Sequence, residues 1–256
     1  MKFKGLAVLT SVAILSFGGG LQSKAAELNN DETPSIVSVT NQVNVDYASV
    51  IKSYSDVEKY LGLLEAYKAS NPESTLKEQD EYLSEIMGAD LLLNNDFNIE
   101  IAPLADYDYI PIVSDRLTEP EKKVFNSNKV YGLAALAAAQ KATMNAEGIY
   151  TKASLHNGNG DAFRHTLWNA YMTDTTSKSY AASFATAHED GYPGQPAIER
   201  SMDLNNNALG RTVVIKLPNL SGEIEAVKTV QALIDGGKAK RISGTSLVAT
   251  NSKEKK

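Results

Sequence analysis

Apolar residues recur at helical spacing through most of the chain. From Tyr47 to about Leu93 they fall three or four positions apart, the period of a helix with one buried face. The segment SNPES at residues 70–74 interrupts the pattern and supplies a helix stop followed by a new N-cap. The pattern therefore predicts a helical hairpin, which we interpret as an N-terminal helical lobe over residues 46–100.

A second helical region begins at LTEPEKKVF, residues 117–125. Thr118 and Glu121 have the spacing of a capping box, and Pro120 suits a first helical turn. We predict one helix from here to about Gly148, through the alanine-rich run AALAAAQKA. Further helices are predicted near residues 161–172, 179–190, 197–210 and 221–234, followed by a short hairpin in AKRISGTSLVAT and a solvated tail, NSKEKK. The predicted fold class is all-α, with a compact C-terminal helical domain over residues 115–250.

The N-terminal segment has the layout of a secretory signal peptide. Lys2 and Lys4 precede an apolar run, which ends in small residues up to Ala25. The run is too short for a membrane span. We expect removal of residues 1–25, a flexible polar leader over residues 26–45, and a secreted protein without a stable membrane anchor.

Charge and cysteine content narrow the possible partners. The formal net charge is −6, and removal of Lys2, Lys4 and Lys24 with the signal peptide makes the mature chain more acidic. Because phosphate attraction needs a basic surface, we expect no nucleic-acid partner. The chain has no cysteine, which excludes disulfides and thiolate metal ligands. Its stability must therefore come from a packed core.

The three histidines of the chain lie close together in the sequence, and polar residues stand near them at helical spacing. If Asp161 opens a helix, Asp161, His165 and Asn169 share one face of it. The next predicted helix ends its apolar stripe at His188. The third aligns Asp203 with Asn206 or Asn207. Because buried polar groups are costly unless they are paired, these rows should meet in one pocket.

Three motifs occur in a fixed order: HNGNGDAFRHTLWNA from residue 156, AHED from residue 187 and ERSMDLNNNALGR from residue 199. This set resembles a bacterial family of domains of unknown function, found in exported proteins and at the C-termini of polymorphic-toxin-like chains. The resemblance extends from LTEPEKKVF to LIDGGKAKRISGTSLVAT. It implies no established activity.

One hypothesis is a metal-dependent hydrolase. Imidazole and carboxylate groups ligate zinc or manganese, so His165, His188 and Asp203, with Asp161 or Glu189, would hold a divalent metal such as zinc. The order Arg164-His165, His188-Glu189 and Asp203 is similar to the His, His-Asp, Asp signature of a helical phosphohydrolase superfamily. Glu189 replaces the aspartate of that signature, and the last spacing is short.

A second hypothesis needs no metal. His165 or His188 would be the general base, oriented by Asp161 or Asp203, while Arg164 would hold an oxyanion or a phosphate. The predicted catalytic residues are His165, His188, Glu189, Asp161 and Arg164. The predicted binding residues are His156, Asn169 and Asn206. The expected substrate is a small molecule or a lipid with a phosphoester or an acyl ester bond.

The alternative is a secreted binding or immunity-like module without catalysis. In that case the polar cluster only fixes the helix geometry. Loss of activity in a folded His165→Ala variant would separate an enzyme from such a module.

Overall fold

The computed structural model describes residues 45–95, 117–215 and 220–256, and the predicted signal peptide and leader lie outside them. The helices are α1 (Tyr54–Ser70), α2 (Leu76–Asn95), α3 (Glu119–Ser127), α4 (Lys129–Ile149), α5 (Asn159–Thr175), α6 (Lys178–Asp190), α7 (Ala197–Gly210) and α8 (Leu220–Asp235), and the strands are β1 (Lys240–Ser243) and β2 (Ser246–Ala249). Short 3-10 helices cover Tyr47–Val50 and Lys152–Leu155. The all-α prediction is confirmed. No helix in these ranges is both long and apolar enough to cross a membrane.

The first two helices form the predicted hairpin. Ser53 and Asp56 make a capping box at the start of α1. The rings of Tyr67 and Tyr82 stack with their centroids 4.3 Å apart across the two helices. Asp80 of α2 accepts a hydrogen bond from the backbone N–H of Lys129 at 2.5 Å, which fastens the hairpin to the start of α4. The domain boundaries drawn from the sequence stay a prediction.

The single helix predicted from residue 117 to Gly148 is wrong, because the chain breaks at Asn128. The backbone of Asn128 is extended, and its side chain accepts a hydrogen bond from the N–H of Tyr131 at 2.9 Å, so it caps α4. The break folds Phe125 onto Gly132, where a Cβ atom would lie 2.4 Å from the ring. The capping box of Thr118 and Glu121 at the start of α3 is confirmed.

Helix α5 is the central element of the fold. Every residue from Asn159 to Met172 is buried, polar ones included. The alanine-rich α4 packs against it, and Trp168 Nε1 donates to the carbonyl of Ala135 at 3.1 Å. Helix α7 approaches so closely that a Cβ atom on Gly210 would lie 2.2 Å from the carbonyl oxygen of Thr166. The polar residues of α5 are therefore held among neighbouring helices.

The last residues do not form the predicted solvated tail. After the antiparallel hairpin of β1 and β2, the backbone N–H of Thr151 donates to the carbonyl of Glu254 at 2.8 Å. The N–H of Lys256 donates to Ile149 at 2.9 Å. The Glu254 carboxylate accepts from the N–H of Asn159 at 2.8 Å. Backbone groups at the end of α4 and the start of α5, which lack a partner within their own helix, thus bond to residues 254–256. The terminal segment is therefore part of the fold.

Candidate functional site

A cavity of about 410 Å³ lies where the start of α5, the end of α6 and the first half of α7 meet. These are the three consecutive helices whose polar rows were predicted to converge. The polar part of its wall consists of His156, Asn157, Asp161, Arg164, His165, His188, Glu189, Gln195, Glu199 and Asp203. Leu155, Tyr192 and Pro193 form an apolar part. The volume suits a small organic ligand.

The start of α5 supplies an ion pair. Asp161 Oδ2 accepts from the backbone N–H of Asn157 at 2.7 Å, and Asp161 Oδ1 lies 2.6 Å from Arg164 Nη2. Asn157 has a φ of 63°, which turns the chain into the helix. Burial by itself would raise the pKa of Asp161, but Arg164, His165 and the Asn157 N–H hold it below its ordinary value. Asp161 is therefore ionised and paired with Arg164.

Asn207 fixes the tautomer of His165. Asn207 Nδ2 donates to Glu189 Oε1 at 3.0 Å, and Asn207 Oδ1 accepts from Asn169 at 2.7 Å. Asn207 Oδ1 is also 3.0 Å from His165 Nδ1, so Nδ1 carries the hydrogen. Nε2 is then the acceptor for Arg164 Nη2 at 3.0 Å. Burial and Arg164 lower the pKa of His165 to about 3, so this imidazole is neutral and a weak base.

The carboxylate of Glu121 orients His188, a contact that the sequence did not predict. His188 Nδ1 lies 2.8 Å from Glu121 Oε1, while Glu121 Oε2 accepts from the N–H and the hydroxyl of Thr118, each at 2.7 Å. Burial by itself would lower the pKa of His188, but the hydrogen bond and charge of Glu121 raise it above 6.5. Gly191 makes the contact possible, because a Cβ there would lie 2.3 Å from Thr118 Oγ1.

Asp203 is a buried carboxyl group of the cavity whose acidity is strongly changed. Asp203 Oδ2 accepts from Gln195 Nε2 at 2.8 Å. Asp203 Oδ1 is 3.5 Å from His165 Nε2 and has no hydrogen-bond partner among the described residues. Burial, together with the charges of Asp161 and Glu189, raises the pKa of Asp203 to about 9. Asp203 is thus a neutral carboxylic acid at pH 7. Burial also raises the pKa of Glu189.

The predicted metal ligands are only partly brought together. Ligand atoms of Asp161, His165 and Asp203 lie within 4.8 Å of one another, but His188 is not in this group. Arg164 Nη2 contacts both Asp161 Oδ1 and His165 Nε2, at 2.6 and 3.0 Å. A metal ion on those two atoms would therefore meet a guanidinium of like charge. Asp161 and His165 therefore fit the guanidinium of Arg164 better than they fit a metal ion.

The three predicted binding residues lie in different places. His156 is at the rim of the cavity with its side chain 68% exposed, and its Nε2 is 3.8 Å from Glu199 Oε1. Asn169 is buried behind the wall, where it bonds to Asn207 and Arg211. Asn206 faces the hairpin and pairs with both backbone groups of Lys240. Two of the three are therefore structural neighbours of the cavity and do not line it.

Sequence reasoning missed three residues around the cavity. Glu121 lies 67 positions before His188, and the capping box already gave it a role. Gln195 follows a break in the helical pattern, where no periodicity marks it. Asn157 gave only a weak signal as part of the turn sequence NGNG.

Residues 122–238 match the family described as a domain of unknown function (DUF6973), and a DUF6973 domain is therefore found in this chain. The matched range contains every residue that lines the cavity, whereas Glu121 lies one position before it. No curated protein and no solved structure matches the chain.

Proposed function

We propose that the protein is a hydrolase of phosphoester or acyl ester bonds, which works by acid–base catalysis without a metal ion. His188 is the general base that takes a proton from the attacking water, Asp203 is the general acid that gives its proton to the leaving oxygen, and Arg164 holds the oxygen on which negative charge develops. The observation that carries the proposal is the hydrogen bond between His188 Nδ1 and the buried Glu121 carboxylate, behind the cavity wall.

The position of Glu121 defines which edge of His188 reacts. Glu121 does not line the cavity, whereas His188 does. With Nδ1 held by Glu121, the Nε2 edge is the one directed away from that carboxylate. Trp168 and Tyr192 contact the same ring, with centroids 5.5 and 5.3 Å away, and restrict its rotation. A carboxylate that holds an imidazole in one tautomer and supports its positive charge is the arrangement that a general base requires.

Asp203 and Arg164 supply the remaining roles. Asp203 keeps its proton at neutral pH and has one oxygen without a protein partner in the described residues, so it can donate that proton to a leaving group. Arg164 lines the same cavity, and a guanidinium suits planar or tetrahedral anionic groups. His165 and Asp161 position Arg164 through its Nη2.

This assignment predicts a bell-shaped pH profile. The base must be unprotonated, so activity rises as pH passes the pKa of His188, which lies above 6.5. The acid must be protonated, so activity falls as pH passes about 9. We expect an optimum between these limits.

The test uses the purified protein with chelator present and three chromogenic esters: bis(p-nitrophenyl) phosphate, p-nitrophenyl phosphate and p-nitrophenyl butyrate. His188→Gln should lower kcat by about 100-fold or more, as expected for loss of a general base. Glu121→Gln should move the rising limb of the profile to lower pH, because it removes the charge that stabilises imidazolium. Asp174→Asn, an exposed change on the same helix as Arg164, is the control.

Three results would contradict the proposal. Equal hydrolysis by wild type and His188→Gln would exclude His188 as the base. Activity that chelator removes and zinc restores would favour the metal-dependent hydrolase. Absence of hydrolysis with all three esters would instead favour a binding module.

The proposal includes export from the cell. It is supported by Lys2 and Lys4 before an apolar run and by small residues up to Ala25. Expression of the full chain in a bacterial host should release a protein whose N-terminal sequence begins at Ala26. Recovery of the uncleaved chain from the cytoplasm would contradict export.

A further inference from the structure

We propose that the mouth of the cavity binds an alkylammonium group through Glu199. The binding of an ammonium group does not depend on catalysis. The further statement that the substrate is a cationic or zwitterionic ester rests on the proposed hydrolase function.

Glu199 is a carboxylate at the cavity wall without a fixed cation. It lies in the first turn of α7, and its side chain is 20% exposed. Its Oε1 accepts from Asn157 Nδ2 at 2.8 Å, which orients the group without neutralising it. Within residues 45–95, 117–215 and 220–256, no lysine or arginine forms an ion pair with it, and His156 is its nearest ionisable partner at 3.8 Å.

Among the described residues, Asp161 and His188 have charged partners, whereas Glu199 and Glu189 accept hydrogen bonds from the neutral side chains of Asn157 and Asn207. Asp161 is paired with Arg164, and His188 is paired with Glu121. Asp203, which is only 5% exposed, has an oxygen without a hydrogen-bond partner in the described part of the chain. An oxygen of this kind is satisfied when a ligand enters the cavity. The cavity therefore has room for a ligand, and the excess charge along its wall is negative.

This charge balance selects among esters. A phosphomonoester dianion would bring two negative charges into a cavity that already has an unmatched carboxylate, which is unfavourable at short range. A neutral ester meets no such repulsion. An ester with a nearby ammonium group gains attraction to Glu199, and if it is a phosphodiester its phosphate can still reach Arg164.

The apolar part of the wall favours an alkylated cation over a metal ion. Leu155, Tyr192 and Pro193 line the same cavity as Glu199. Alkyl groups on nitrogen need apolar and aromatic contacts together with a nearby negative charge. A metal ion needs several oxygen or nitrogen ligands instead.

The experiment compares choline with 3,3-dimethyl-1-butanol, which has the same shape without the charge, by calorimetric titration at pH 8 and low ionic strength. We expect choline to bind about tenfold more tightly, as a partly exposed cation site allows. Glu199→Gln should remove this difference, because glutamine keeps an acceptor for Asn157 but has no charge. Glu225→Gln, the same change at an exposed position of α8, should keep it.

The outcomes separate this inference from the proposed hydrolase. Equal affinity for choline and the neutral alcohol, or a preference that survives in Glu199→Gln, would overturn the ammonium site. Hydrolysis of p-nitrophenyl phosphorylcholine tests the two together. If choline binds and neither this ester nor the three chromogenic esters are cleaved, the binding site stands and the proposed hydrolase fails. If neutral esters are cleaved and choline does not bind, the hydrolase stands and the ammonium site fails.

Discussion

At the scale of single residues, Asp203 shows how the cavity combines strain with reactivity. Its carboxyl group has left water, and one of its oxygens gains no hydrogen-bond partner from the described residues. Holding a carboxyl group in this state costs free energy, which the rest of the fold must offset. The same burial keeps the proton on Asp203 that the proposed mechanism uses.

Asp203→Asn should stabilise the protein above neutral pH while slowing hydrolysis of esters whose leaving oxygen needs a proton. The folded-state pKa is raised to about 9, whereas the unfolded chain loses this proton near 3.8. The folded state thus holds the extra proton between these values, and stability falls by up to about 1.4 kcal/mol per pH unit as pH rises. Asparagine has no such proton, so the variant should lose this slope.

Urea unfolding at pH 6 and pH 8 measures this effect. We expect a gain of about 1–3 kcal/mol for the variant at pH 8. Asp174→Asn serves as the matched control and should show neither change. A variant less stable than wild type at both pH values would contradict the raised pKa of Asp203.

At the scale of helices, local sequence signals predicted where helices begin and end better than they predicted which helices contact each other. Capping at Thr118, the end of α6 at Gly191 and the polar face of α5 all follow from residues a few positions apart. The break at Asn128 was missed because an alanine-rich segment continues the helical pattern beyond it. The contact of Phe125 with Gly132 that the break allows is seen only in the folded arrangement.

The site was predictable as a location and only partly as chemistry. The polar rows of three helices indicated that His165, His188 and Asp203 approach one cavity. The partner of His188 could not be deduced, because Glu121 comes from a helix 67 positions earlier. The position of Arg164 Nη2 between Asp161 and His165 is likewise a result of packing, and it weakens the metal hypothesis.

The close contact of α5 with α7 predicts opposite effects for two glycine substitutions. Gly210→Ala places a Cβ atom 2.2 Å from the carbonyl of Thr166, so α7 must shift. We expect a loss of about 1–3 kcal/mol, as for overpacking. Gly148→Ala, on the exposed face of α4 with no atom of the described residues within 4 Å of its Cβ, should gain about 0.5–1 kcal/mol from helix propensity.

Thermal and urea unfolding of both variants provide the measurement. Because Asp203 and Asn207 lie on α7, Gly210→Ala should also lower ester hydrolysis. Equal stability of the two variants would show that the helices can separate without cost.

At the scale of the whole molecule, the start of α5 is held from the far end of the chain. Asn159 is fully buried, and its Nδ2 donates to Asn251 Oδ1 at 2.9 Å and to the carbonyl of Lys253 at 3.0 Å. The N–H of Asn251 donates back to Asn159 Oδ1 at 3.2 Å. The cavity residues on α5 are therefore supported by a segment whose composition alone suggested a solvated tail.

Asn159→Ala should release this segment. Three buried hydrogen bonds disappear, and at about 1 kcal/mol each we expect a loss of about 2–3 kcal/mol. Trypsin should then cleave after Lys253 faster than in wild type, as shown by mass spectrometry. Asn145→Ala, which removes only a bond to the carbonyl of Lys141 within α4, should change stability by less than about 0.5 kcal/mol. Unchanged trypsin resistance in Asn159→Ala would contradict the role of the terminal segment.

Trp168, the single tryptophan of the chain, packs behind the cavity wall. Its ring centroid is 5.5 Å from that of His188 and 6.2 Å from that of His165. Protonated imidazole quenches indole emission at such separations, whereas the neutral ring does so weakly. Since His165 stays neutral near pH 7, the intrinsic fluorescence of the unlabelled protein becomes an optical gauge of one proton, the one on His188, and of any compound that displaces it.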